Sequence, residues 1–273
     1  MSAVAAARRT LQTGLLGAYG LARRTGAFER PAVQRLYSRL YFVYKRRLEA
    51  RATAALMTWI APDSTVIDVG ANIGFFTIDF ATRVGAAGRV VAFEPDHRNV
   101  ETLRWNLARA KLANVVVVEA ALAERSGQGT LYLNPSHPAD HRIFAGDAER
   151  PHEVVALIAF DDYVASAALP APISLIKIDV QGAEMKALRG MTRTLDRFPS
   201  ASLLVEYTPA ALREAGDSPE VLLDFFRSRD YRPQTFSEVA RRFEPVTYGA
   251  LASVHGARDY VDVLFAPRGA GGR

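Results

Sequence analysis

The sequence predicts an α/β fold: a mostly parallel, seven-stranded sheet with helices on both faces, preceded by a helical N-terminal extension. Three observations carry that expectation. Short apolar runs alternate with helical patterns from Thr65 onward, the first run passes through a glycine turn into a helix, and strand after strand ends in a carboxylate. Alternation of this kind gives parallel strands covered on both sides. Acids at strand ends fall at the carboxyl edge, where open α/β sheets bind their ligands.

Each element follows in order. A helix around Ala52–Ile60 leads through Pro62 and Asp63 into the first strand, Thr65 to Val69. The second runs from Arg89 into Glu94 and Pro95, and the proline, which cannot continue a strand, starts a helix over about His97 to Ala110. Val115–Glu119 is the third strand, Glu124–Gly129 a turn, and Thr130–Leu133 the return strand of a hairpin. Asn134 to Pro151 is polar and punctuated by three prolines, so it reads as a loop. Val154–Ile158 is a short strand, and Phe160-Asp161-Asp162-Tyr163 opens a helix capped by an Asp. Ile173–Ile178 is the fourth core strand with a helix after it at Ala183–Gly190, and Leu203–Glu206 is the fifth. A helix over Pro219–Ser228 and strands near Tyr231–Thr235 and Tyr260–Phe265 complete the seven. The chain thus divides into a basic extension (1–52), a main domain (53–267) and a flexible tail (268–273).

The most informative stretch is Thr65 to Thr77. Its spacing, Asp68-x-Gly70-x-x-x-Gly74, gives a tight strand-to-helix turn in which Gly70 lets the backbone approach a ligand and Gly74 lets the helix pack closely. The dinucleotide fingerprint Gly-x-Gly-x-x-Gly is absent, because Asn72 stands where its second glycine admits a pyrophosphate. A ligand without a pyrophosphate is expected, and S-adenosylmethionine fits. Glu94, 20 residues past Gly74, stands where nucleotide-binding units place the acid that accepts the ribose hydroxyls.

Val66 to Gly74, then Ala92-Phe93-Glu94-Pro95, then Leu175 to Glu184 resemble, in order and spacing, the FkbM-type S-adenosylmethionine-dependent methyltransferases. The resemblance covers Thr65 to Glu206, about half the chain. It implies a class I methyltransferase fold and O-methylation of a sugar or polyketide hydroxyl. One departure is visible: Gln181 stands where many members carry Glu.

Composition bounds the alternatives. A chain of 273 residues, 49% hydrophobic, can bury a full core as one domain with an appendage. It has no cysteine, so disulfides and thiolate metal sites are excluded, which fits a cytoplasmic protein. No run of 18 apolar residues is present, and Met1 to Gly20 reads as a helix rather than a signal peptide. Residues 1–52 carry eleven Lys or Arg against two acids, a net of +9; the whole chain carries +5, so the remainder is at −4. In that extension Val33, Leu36, Tyr37, Leu40, Tyr41, Tyr44 and Leu48 recur at helical spacing. The stripe is expected to pack on the main domain, with peripheral contact to an anionic membrane as the alternative. Nucleic acid is not an expected partner, since the main domain is acidic and carries no such motif.

The donor-contacting set expected from these readings is Asp68, Gly70, Asn72, Gly74, Phe75, Glu94 and Glu119, with Asp68 near the donor's ammonium and Glu119 near its adenine. Each acid also has a plain reading, as a helix-terminus acceptor or a solvated strand end. On the acceptor side, Asp179 ends the fourth strand, and Glu184, five residues on, suits a helix start. Lys177 sits in a buried run and must pair with an acid or snorkel to the edge. His137, His141 and His152 lie in or beside the polar loop, His97 at a helix start and His255 in a late loop. Of these, His141 is the candidate general base.

The expected chemistry is in-line methyl transfer to a hydroxyl of a small-molecule or glycan acceptor, with the protein supplying positioning and a base, and no metal required. A non-catalytic donor-binding or membrane-associated partner protein, and a nicotinamide-dependent oxidoreductase, are the alternatives; Asn72 speaks against the second.

Overall fold

The computed structural model describes residues 17, 20–22, 25–27, 30–134, 140–145, 150–167, 169, 172–254 and 260–268. The expectations for Met1 to Gly20, for His137 and His255, and for the tail beyond Arg268 fall wholly or mostly outside them.

The chain opens with α1 (Pro31–Met57), then β1 (Thr65–Val69), α2 (Phe75–Val84), β2 (Arg89–Phe93), α3 (His97–Ala110) and β3 (Val115–Val118). Next come β4 (Ala121–Leu122), β5 (Gly127–Tyr132), β6 (His152–Ile158), α4 (Phe160–Ser166), β7 (Ile173–Ile178), α5 (Glu184–Arg189) and α6 (Thr192–Arg197). The last third holds β8 (Ser202–Tyr207), α7 (Pro209–Glu214), α8 (Pro219–Arg227), β9 (Arg232–Ser237), β10 (Arg242–Pro245), α9 (Tyr248–Ala252) and β11 (Val261–Ala266).

The main sheet has the order β10-β9-β11-β8-β7-β1-β2-β3. Five neighbouring strands, β3-β2-β1-β7-β8, pair in parallel, while β11 pairs antiparallel with both β8 and β9. The sheet is therefore mostly parallel with an antiparallel edge, and eight-stranded rather than seven. The added strand, β10, is a four-residue edge strand hairpinned to β9, and Arg242-Phe243-Glu244-Pro245 is too short to show a strand period.

Continuous apolar runs make the central strands because both of their faces are covered. Every residue of β1 is buried. Ile67, Val69, Phe93, Ile176, Ile178 and Val205 face a layer holding Met185, Leu188, Leu222 and Phe226. Val66, Val90, Leu175 and Leu264 face the other layer, with Phe80, Val84, Leu56 and Ile60. Leu56 and Ile60 are almost fully buried. Each such side chain contributes about 1.5–3 kcal/mol on leaving water, so the end of the α1 segment is fastened to the sheet.

Two further expectations change. β5 pairs not with the strand before it but with β6, antiparallel, in a separate three-stranded sheet of order β4-β6-β5. Asp161 does not cap its own helix: α4 starts at Phe160, and its N-cap residue, Ala159, makes no side-chain cap. Its carboxylate instead accepts from the backbone N–H groups of Arg193 (3.1 Å) and Thr194 (2.7 Å), which capping of α6 requires.

For the site, the order of the sheet matters most. The chain runs outward from β1 to β2 and β3, then returns on the other side of β1 to β7 and β8. That reversal leaves a crevice at the carboxyl ends of β1 and β7, with β2 and β8 beside it.

Candidate active site

The turn after β1 is built by close approach. Gly70 has φ +78°, and a Cβ there would lie 2.0 Å from the carbonyl oxygen of Asp179, so β1 and β7 meet only because this residue is glycine. The N–H groups of Gly70 and Ala71 both donate to the Phe93 carbonyl at 3.0 Å, which draws the turn over the end of β2. Gly74, at φ +92°, clears Leu103 of α3, since its Cβ would fall 2.4 Å from Cδ1. Gly70 lines the cavity as well, and Gly74 brings the turn and α2 close to α3.

Glu94 closes the turn from the other side. Its Oε2 accepts from the Asn72 N–H (2.8 Å), and its Oε1 from the Asp96 N–H (3.1 Å) and Asn99 Nδ2 (3.1 Å). Three bonds leave a carboxylate with acceptor capacity for one more donor. Burial pushes its pKa up to about 7, offset by the Asn99 hydrogen bond. Asn72 sits in the left-handed region at φ +50°, its side-chain oxygen accepting from the N–H of Ile73 at 2.7 Å.

Beneath the turn lies a chain of charges. Asp68 is fully buried, accepts from Thr77 Oγ1 at 2.6 Å, and stands 3.5 Å from Lys177 Nζ. The same ammonium is 3.4 Å from Asp179 Oδ2 and donates to the Gly70 carbonyl at 3.4 Å. Burial alone would lower the Lys177 pKa; Asp179 and Asp68 reverse this and raise it. Lys177 thus pairs with acids rather than snorkelling. Asp68 does not reach the cavity, so its expected contact with the donor's ammonium is replaced by support of Lys177 from below.

At the end of β7, Asp179 is a third exposed toward the cavity. Burial works against its charge, and the ammonium groups of Lys177 and Lys45 together with a Gln181 hydrogen bond outweigh burial, holding the carboxyl below its ordinary range. Gln181 Nε2 donates to Asp179 Oδ1 (2.9 Å) and to Glu206 Oε2 (2.8 Å) at the end of β8. Glu206 is raised well above the ordinary range, by burial first and by Asp179 second. Glu184 is fully buried one turn away, accepts from the Gly182 N–H at 3.0 Å, and is raised to about 7 by burial.

Two expected contacts fall elsewhere. Glu119 follows the edge strand β3 and turns outward, pairing with His97 at 2.8 Å and Arg104 at 3.7 Å. It does not line the cavity, because strand alternation sends its side chain outward. His141 does line the cavity, but from the donor side: its Nδ1 accepts from the Asn134 N–H (3.2 Å), and Nε2 lies 3.5 Å from Asp96, the N-cap of α3. With one nitrogen accepting and the other facing a carboxylate, the ring has no free base for an acceptor hydroxyl. His152 is exposed at the start of β6.

The turn, Glu94, Lys177, Asp179, Gln181 and Glu206 line one cavity of about 380 Å³. Gly70, Asn72, Phe75 and Glu94 line one side and Asp179, Gln181, Glu206 and Thr208 the other. The roof is α1, which contributes Tyr37, Tyr41, Tyr44 and Lys45. Ser38, almost fully buried, fixes that helix: Asn106 Nδ2 of α3 donates to Ser38 Oγ (2.9 Å) and to the Ile73 carbonyl of the turn (2.8 Å). The sequence reading saw the tyrosine stripe and gave it to packing or a membrane; nothing in a period of 3.6 distinguishes a core face from a cavity roof.

A glycine turn at the carboxyl end of β1, an acid at the end of β2 and a cavity at the sheet's switch point are arranged as in the class I methyltransferase fold, whose donor is S-adenosylmethionine. Glu94 presents its spare acceptor site at the cavity wall. Residues 68–233 match the Methyltransferase FkbM domain, and the chain belongs to that family. It is 26% identical over 147 residues to "Methyltransferase 1" of Beauveria bassiana, an alignment covering 47% of this chain and 59% of that protein. It is 27% identical over 186 residues to the hexuronic acid methyltransferase AglP of Haloferax volcanii, with 68% and 73% covered. It is 25% identical over 185 residues to the 2-O-methyltransferase NoeI of Sinorhizobium fredii, with 61% and 72% covered.

Proposed function

We propose that this chain transfers the methyl group of S-adenosylmethionine to a hydroxyl of a sugar, glycan or polyketide-type small molecule. The observation that carries the reading is the single cavity with a donor turn on one wall and an acid pair on the other. When bound, the donor supplies an electrophilic sulfonium methyl. Gly70, Asn72 and Glu94 orient it, and Asp179 holds the acceptor's hydroxyl and takes its proton. The roof favours a sugar: Tyr37 and Tyr41 stack with ring centroids 6.1 Å apart, giving an apolar wall with polar tips, which suits a ring with hydroxyls at its edge. AglP and NoeI, by their names, act on a hexuronic acid and at a 2-O position, which supports the same class of acceptor.

The test is transfer from labelled S-adenosylmethionine to a panel of sugars, glycans and polyketides. Donor binding without transfer to any member would favour a non-catalytic binder, and calorimetric binding of a nicotinamide dinucleotide in its place would favour an oxidoreductase.

The outer face of α1 supports a second reading, of location. Leu36, Leu40 and Val43 are exposed at helical spacing, with exposed Arg39, Arg46 and Arg47 beside them. Among the described residues no helix is long and apolar enough to cross a membrane. An apolar stripe edged with arginine suits an anionic membrane surface, which would set the tyrosine roof close to an amphiphilic acceptor. Vesicle association that falls steeply with salt supports this; association indifferent to salt, or none, removes it.

A further inference from the structure

Gln181 is held where few residues sit. Its φ is +53°, and the next residue, Gly182, has φ +105° with a Cβ position only 2.5 Å from the Ala211 carbonyl oxygen. A non-glycine residue fixed in the left-handed region is strained, and such strain clusters at functional sites. What the strain secures is a bridge: both hydrogens of one side-chain amide are committed to two carboxyls, at 2.9 and 2.8 Å.

The charges around the bridge come from five elements. Lys177 of β7 and Lys45 of α1 face Asp179, while Asp262 of β11 and Glu184 of α5 face Glu206, and Asp68 of β1 acts through Lys177. The cations favour charge on Asp179 and the anions oppose it on Glu206. Two carboxyls tied to one amide nitrogen feel each other's charge, and their surroundings hold Asp179 below the ordinary range and Glu206 well above it.

Building on the methyl-transfer reading, we propose that Asp179, Gln181 and Glu206 form one proton-accepting unit, in which Gln181 is the positioning residue that ties the two carboxyls together and holds the Asp179 carboxylate ready for the acceptor's proton. In the step it serves, the acceptor oxygen forms a bond to the methyl carbon. The carbon–sulfur bond breaks with its electron pair left on sulfur, and the hydroxyl proton passes to Asp179. One positive and one negative charge are lost together, so the net charge of the site is unchanged by the step. A neutral amide suits this task, because a third carboxyl would add a charge that the two lysines do not balance.

The test is the pH dependence of kcat in Gln181→Glu and Gln181→Leu, with donor affinity measured alongside by calorimetry. In Gln181→Glu the introduced carboxyl either repels the charge on Asp179 or, if neutral, offers one hydrogen where the amide offered two. Either way the acidic limb should move up by roughly one pH unit. Gln181→Leu should move the limb the same way and lower kcat about tenfold or more, with donor affinity unchanged. A limb at the wild-type position in both variants, whatever their kcat, would overturn the proposal and leave Gln181 a structural residue. Absence of transfer by the wild-type protein is a separate failure, that of the methyl-transfer reading itself.

Discussion

The two walls of the cavity are built by different means. Most of the donor wall comes from residues 70–99, a single turn-helix-strand passage whose shape is set by backbone hydrogen bonds from Gly70 and Ala71 and by one acid, Glu94. The acceptor wall is assembled from residues 37–45, 179–181, 206–208 and Tyr260, which the chain brings together from four places. One wall is a backbone shape that tolerates few residue types; the other is a set of side chains on a frame that tolerates many. Substitutions should therefore act differently on the two sides: on donor affinity and folding at the first, on turnover at the second.

The largest expected effect lies on the acceptor wall. Asp179→Asn should lower methyl transfer by about two to four orders of magnitude, the usual worth of a general base, while calorimetry finds donor affinity nearly intact. Equal losses in both would erase the distinction between the walls.

Next is Gly70→Ala. A methyl group 2.0 Å from a backbone oxygen forces β1 from β7, and φ +78° adds strain, so a loss of about 3 kcal/mol of stability is expected in urea unfolding. Glu94→Ala follows, with donor binding weakened by roughly 1.5–3 kcal/mol, as for hydrogen bonds to a charged group. Unchanged donor affinity in a folded Glu94→Ala protein would remove this acid from the site.

His141→Ala sharpens the comparison further. Because its ring is tied to Asn134 and Asp96 on the donor side, transfer should stay within about tenfold of wild type, short of the hundredfold or more lost with a general base. A hundredfold loss in kcat with intact donor binding would return His141 to the mechanism.

The smallest effect concerns stability against pH. Glu94 and Glu184 are each raised from 4.5 to about 7, mainly by burial. Folding therefore takes up protons between those values, and their contribution, complete below about pH 4.5, is lost as pH rises through 7. Glu184→Gln should flatten that decline in a series of thermal midpoints; an unchanged slope would show that Glu184 titrates normally.

The contrast also explains what the sequence disclosed. The parallel strands were legible because burial on both faces leaves unbroken runs such as Thr65–Val69 and Ile173–Ile178, and the turn because Gly70 and Gly74 have no substitute there. β10 was not, since four residues at an edge carry no period, nor was the pairing of β5 with β6, which a loop separates. In the site, Glu94 and Asp179 could be placed from their strand ends alone. Glu119 could not, because the side of a strand end that faces the ligand depends on alternation fixed by the neighbours. Gln181 and Glu206 meet across β7 and β8, and Tyr37, Tyr41 and Tyr44 reach the cavity through the docking of α1 on the domain, by Ser38 on Asn106 and by Phe42 against Phe75 among other contacts. Contacts of that kind are set by tertiary packing, for which a single sequence offers no signal.

That roof has a consequence for how such proteins diversify. The helix bearing the tyrosines precedes β1 in the chain, and its pocket-facing side chains lie outside the passage that shapes the donor turn. Exchange of one leading segment, so long as the Ser38 contact survives, would present the same methyl donor to a different acceptor. Because Lys45 of the same helix faces Asp179, such an exchange would have to keep that ammonium too, so the roof and the acid beneath it would change together or not at all.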